Sequence, residues 1–160
     1  MTVTINDART VPVQEDLTTD DLRLQVLRGL ETMFRADKPL APATELLTGE
    51  WGVLNSDGQV ERPGATPVAN TYPVFCGTER YDVKATGAVT LILGSHVVLK
   101  TNQFDETADY EVGDALTVKD YSAGEAHVTK ASSGEPVLGQ VLEVGDGWLV
   151  FETRRPGDLA

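Results

Sequence analysis

The sequence predicts a mainly β protein: a small barrel or sandwich body, preceded by an extended arm and one α-helix. Three observations carry this expectation. Of 15 glycines, only Gly29 precedes position 49, and the other 14 fall between Gly49 and Gly157. Glycine supplies the positive φ that tight reversals need, so the chain turns rarely at first and constantly afterwards. Beyond Leu46, short apolar runs alternate with turns rich in Gly, Asn and Asp, the spacing of sandwiches and small barrels rather than of a parallel α/β sheet. The one apolar stripe of helical period lies before Pro39. The expected division is an arm plus amphipathic helix over residues 1–45 and a β body over residues 46–160.

In the arm, Val3 and Ile5 alternate with Thr2, Thr4 and Asn6, the period of a strand with one buried face. Val11 and Val13 repeat the alternation, but Pro12 between them removes a donor and confines any strand to an edge. Thr18 or Thr19 is placed to cap a helix whose positive dipole end suits Asp20 and Asp21. Leu22, Val26, Leu30, Met33 and Phe34 then share a stripe, with Leu27 beside it and Arg23, Arg28, Glu31 and Arg35 opposite. Lys38-Pro39 and Ala41-Pro42 end the helix, because a residue before proline is pushed out of helical geometry. Such a helix packs either on its own body or on a neighbouring chain.

The body follows as strands and turns. Leu46 to Leu54 and Gln59 to Arg62 flank Asn55-Ser56-Asp57-Gly58, a strong hairpin signal. Val68 to Phe75 contains Pro73 and is expected as an irregular or edge strand. Ala88 to Leu93, Val97 to Thr101, Ala115 to Lys119 and Ala126 to Lys130 come next. Val137 to Val144 is the next run, and the last hairpin goes from Val141–Val144 through Gly145-Asp146-Gly147 to Trp148–Thr153.

Charge and composition narrow the function. Thirteen Lys and Arg against 25 Asp and Glu leave a net charge of −12 over 160 residues. That balance opposes phosphate binding, which rests on cations displacing counterions, so no nucleic-acid partner is expected. No apolar run approaches the roughly 18–20 residues of a bilayer span, and Met1–Asn6 has neither the basic nor the apolar region of a secretory signal. Synthesis and folding in a cytoplasm, away from membranes, are therefore expected. At 41% hydrophobic and 24% charged, the chain has enough apolar surface to build a core rather than remain disordered.

Most candidate chemistry fails on spacing. His96 and His127 each stand alone, without a second ligand at metal-binding distance in sequence. The single Cys76 excludes an internal disulfide or a multi-thiolate zinc site, leaving a buried thiol or a link between chains. Ser56, Ser95, Ser122, Ser132 and Ser133 lie in turns outside any nucleophile elbow. Asp105-Glu106-Thr107-Ala108-Asp109-Tyr110-Glu111 lacks the alternating ligands and central glycine of a calcium loop and reads most simply as a solvated loop, with a loose cation site as the alternative. Gly145-Asp146-Gly147 precedes a strand rather than a helix and so does not cradle a phosphate. Trp51 and Trp148 fall in expected strands, as core anchors. No catalytic residue, cofactor or metal is predicted, and the expectation is a protein that is not an enzyme.

What remains is a protein that binds neighbours. Sixteen residues, Met1 to Asp16, reach about 50 Å when extended at roughly 3.3 Å each. An alternating strand can add to an exposed sheet edge, gaining main-chain hydrogen bonds and apolar anchors. The candidate partner-contacting residues are Val3, Ile5, Val11, Val13, Leu22, Val26 and Leu30.

Three stretches carry a family resemblance. Glu50-Trp51-Gly52-Val53-Leu54-Asn55-Ser56-Asp57-Gly58 followed by Arg62-Pro63 is one. Gly113-Asp114-Ala115-Leu116-Thr117-Val118-Lys119 is the second. The third runs from Gly139-Gln140-Val141-Leu142-Glu143-Val144 to Leu149-Val150-Phe151-Glu152-Thr153. Over residues 46 to 155 the chain resembles the head decoration, or capsid cement, proteins of tailed phages. The resemblance implies a small β-barrel or β-tulip, often a homotrimer, on the outer surface of the expanded capsid of the virion after a stay in the host cytoplasm. It implies the major capsid protein as partner, an arm lying across junctions between capsid subunits, and no catalytic residues. Two other classes stay open from the residues themselves: a different phage structural β-module of tail or baseplate, and a ligand-binding or enzymatic barrel.

Overall fold

The computed structural model of the chain describes residues 23–29, 35–74, 88–121 and 125–154. Among these residues all regular structure is β. In chain order the strands are β1 (Leu24–Arg28), β2 (Arg35–Pro39), β3 (Trp51–Leu54), β4 (Val60–Glu61), β5 (Thr71–Pro73) and β6 (Ala88–Ile92). They continue with β7 (Val98–Thr101), β8 (Ala115–Tyr121), β9 (Glu125–Lys130), β10 (Gly139–Val144) and β11 (Leu149–Thr153).

They form three antiparallel sheets: a six-stranded sheet in the order β1-β7-β11-β10-β8-β9, a three-stranded sheet β4-β3-β5, and the pair β2-β6. Two single bridges link the β2-β6 pair to the three-stranded sheet, and a third falls within the six-stranded one. Leu40 meets Val60, Val74 meets Leu91, and Phe104, on the segment leaving β7, meets Val128 of β9.

The expected hairpins form for the expected reasons. Asn55 N donates to Gln59 O and Gly58 N to Asn55 O, while Asn55 Oδ1 accepts the amides of Asp57 and Gln59. Gly58 takes the positive φ of 75° that this reversal requires. At the second hairpin, Gly145 N donates to Trp148 O at 2.9 Å.

Among the described residues, one expectation fails. The segment expected as a helix between Thr18 and Lys38 is described at residues 23–29 and from residue 35 onward, and there it is β. β1 pairs with β7, placing Leu24 opposite Thr101 and Val26 opposite Leu99, and β2 pairs with β6 from Arg35 opposite Ile92 to Pro39 opposite Ala88. The residue that β1 buries is Leu24, at 7% exposure, which lies off the helical stripe. Gly29 closes the strand at a φ of 92°, which a helix interior does not tolerate. A ladder of main-chain bonds to β7 outweighs a local preference of a few tenths of a kcal/mol per residue. The remainder of that segment lies outside the described residues.

The core spans the sheets. Trp51 of β3 and Phe151 of β11 are buried with ring centroids 6.0 Å apart, joining the three-stranded sheet to the six-stranded one. Leu46, Val60, Leu91, Leu99, Leu116 and Leu149 surround them at no exposure. Gly139 leaves the space that the Phe151 ring occupies, since a Cβ there would sit 2.9 Å from it. Trp148, by contrast, is only half buried at the hairpin end, with Lys100 Nζ 4.3 Å above its ring.

Candidate partner-binding surface

β1 is an edge strand whose described neighbour is β7 alone. Its burial fades along its length: Leu24 is buried, Val26 half buried against the core, Leu27 44% exposed and Arg28 exposed. A register irregularity between Val26 and Arg28 accompanies the fading, as bulges do at sheet edges.

The start of β1 is fixed by a buried carboxylate. Glu50, just before β3, has a side chain 7% exposed. Its Oε1 accepts Arg62 Nη1 at 3.2 Å and the Ala126 amide of β9 at 3.5 Å. Its Oε2 accepts the Leu47 amide at 3.0 Å and lies 4.0 Å from Arg23 Nη2. Arg23 also donates its Nε to Thr48 O at 2.6 Å, and its own carbonyl accepts Thr101 Oγ1 at 2.6 Å. A buried charge is tolerated only when its lone pairs are met, and Glu50 draws its partners from four separate segments. The arrangement knits β1, β4, β9 and the turn before β3 into one unit.

A pocket of about 130 Å³ opens beside the core, lined by Trp51, Tyr72, Ile92, Ser95, Leu138 and Arg154 among others. Arg154 is the charged side chain of that lining, and it lies 3.4 Å from Glu152 Oε1 while donating to Gln140 Oε1. Glu152 Oε1 is also 3.6 Å from His96 Nδ1, an ion pair only when the ring is protonated. His96 holds a positive φ of 62° as its amide donates to Thr153 O. Among the described residues, no group of three or more His, Cys, Asp or Glu could hold a metal ion.

Of the residues expected to contact a partner, Val26 is described, on β1 and half buried. Val3, Ile5, Val11, Val13, Leu22 and Leu30 lie outside the described residues, as does Cys76. The Glu50 cluster was missed by sequence reasoning. A glutamate before a tryptophan and an arginine twelve positions on carry no periodic signal, because the contact is made by packing sheets together. Compared with known proteins, the chain matches no family model, no curated protein and no solved structure.

Proposed function

We propose that this chain is a non-enzymatic capsid decoration protein that binds the outside of an expanded phage head and staples neighbouring major capsid subunits. It acts as a homotrimer on the virion, with its arm across the subunit junctions and no contact with nucleic acid or membrane. Each copy buries apolar surface against two or more capsid subunits, so parting those subunits must also break its contacts. An interface of standard size, about 1,600 Å², is enough.

The observation that carries this reading is where the three resembling stretches fall. The first is β3 with its hairpin, the second the turn and strand of β8, the third the hairpin β10–β11. Trp51 of the first packs on Phe151 of the third, and Leu116 of the second pairs with Gly139 of the third. The resemblance thus follows one packed skeleton rather than scattered turns. A barrel or β-tulip body is part of the same proposal. The Leu40–Val60 and Val74–Leu91 bridges support closure of the smaller sheets upon each other, and Phe104–Val128 supports closure of the larger one.

The test is co-sedimentation of the purified chain with immature and with expanded capsids, followed by imaging. Selective binding to expanded heads at three-fold positions is expected. Removing residues 1–16, or introducing Val3→Asp with Ile5→Asp, is expected to lower occupancy sharply by placing charge where an anchor must be desolvated. Equal binding to both capsid forms, or self-assembly of the pure chain into rings or tubes, overturns the proposal.

A further inference from the structure

Among the described residues, β10 has neighbours on both sides along its first half alone. Gly139 and Gln140 pair with Leu116 and Ala115 of β8. The ladder then ends in the turn before β8, where Val141 N donates to Asp114 O at 2.9 Å and Gly113 N to Val141 O at 2.8 Å. From Leu142 to Val144, β11 is the strand's sole neighbour among the described residues.

A bulge falls at the same place. Val141 pairs with Phe151 and Glu143 with Val150, leaving Leu142 as the extra residue. A bulge breaks the strict alternation of faces and sharpens the twist, so consecutive side chains turn outward. Leu142 is 41% and Val144 44% exposed, with Glu143 between them exposed as well. Val112, 70% exposed, adjoins Gly113 in the turn bonded to Val141. Three apolar side chains therefore gather around a strand edge that, among the described residues, meets β11 alone.

The edge is preformed, because the hairpin beyond it is locked. Trp148 lies so close over Gly145 that a Cβ there would fall 1.9 Å from the ring, and Lys100 covers the ring. Its surroundings are acidic. Glu111, Glu143 and Asp146 are exposed around it, while Lys130 is held by Asp114 at 2.9 Å.

We infer that Leu142–Val144, together with Val112, is a docking edge for an extended basic segment of a different protein, which adds as a strand beside β10. Charge complementarity names this occupant. A second copy of the chain would bring Glu143 and Asp146 against the same carboxylates, and like charges facing across strands destabilise the pair. A segment alternating apolar and basic residues covers Val112, Leu142 and Val144 with one set and meets the acids with the other. Main-chain bonds supply affinity and the acidic rim supplies selection. The partner is defined by chemistry alone, so the inference stands or falls apart from the capsid reading.

The test is a titration of the isotope-labelled full chain with a heptapeptide of alternating lysine and valine, followed through its amide resonances. Shifts confined to residues 111–114 and 141–147 are expected, with affinity falling about tenfold between low and high salt. An alternating glutamate and valine peptide is expected not to bind. Glu143→Lys with Asp146→Lys, both at exposed positions, is expected to reverse the preference while leaving the remaining resonances in place. Absence of binding, equal binding of both peptides, shifts centred on β1, or a homodimer formed through β10 would each overturn the inference.

Discussion

Two regions of this molecule handle polarity in opposite ways. Around Glu50 a charge is buried, and two arginines, the nearby Leu47 amide and the distant Ala126 amide satisfy it. Around Leu142–Val144 apolar side chains are exposed and carboxylates ring them. The first region is locked, because losing any partner strands a charge in a poorly solvated place. The second is available, because Leu142 and Val144 are exposed and β11 is the one strand beside them among the described residues. β1 lies between these extremes, fixed at Arg23 and loosened by Leu27.

The contrast can be broken most strongly at its locked end. Glu50→Ala removes the carboxylate that Arg62 and Arg23 share and the acceptor of the Leu47 and Ala126 amides, and is expected to cost about 3–5 kcal/mol in chemical denaturation. A loss under about 1 kcal/mol would mean that the cluster is not what joins the sheets. Gly145→Ala acts at the open end. It pushes a methyl group into the Trp148 ring, and a cost of about 1–3 kcal/mol is expected together with red-shifted tryptophan emission. Unchanged emission would show that the ring does not rest on Gly145.

The smallest effect sharpens the comparison through pH. Lys130 beside it, and then the Glu111 amide, hold the Asp114 carboxyl below its ordinary value of 3.8. The folded state therefore binds fewer protons than the unfolded one in that range, and this contribution to stability is lost as pH falls through and below 3.8. Asp114 in turn raises Lys130 above 10.5, so its contribution is complete below that pH and lost as pH rises past it. The difference in Tm between the wild type and Asp114→Asn is expected to be flat near neutrality and to shrink toward both limits. A difference that does not change with pH would remove the pair from the account.

Local sequence signals worked wherever a turn imposes a backbone conformation. Asn55 to Gly58 closes β3 onto β4 through its own side-chain and main-chain bonds, and Gly145 to Trp148 does the same for β10 and β11. Strands β6 to β11 fall where alternation and turn residues placed them. Sequence failed at Leu24–Arg28, where two residues of alternation, Leu24 and Val26, cannot compete with a five-residue helical stripe until β7 offers its edge. It was also silent on the bulge at Leu142, since a skipped register leaves no trace in composition. It was silent on Glu50, whose partners lie up to 76 positions away.

The sequence by itself determined the β character, the turns and the acidic surface, because these depend on residues within a few positions of one another or on their sum. Tertiary structure decided which edges are filled, which charge is buried and which apolar residues stay in water. Those outcomes depend on which strands meet, and strand pairing joins residues that no local window contains.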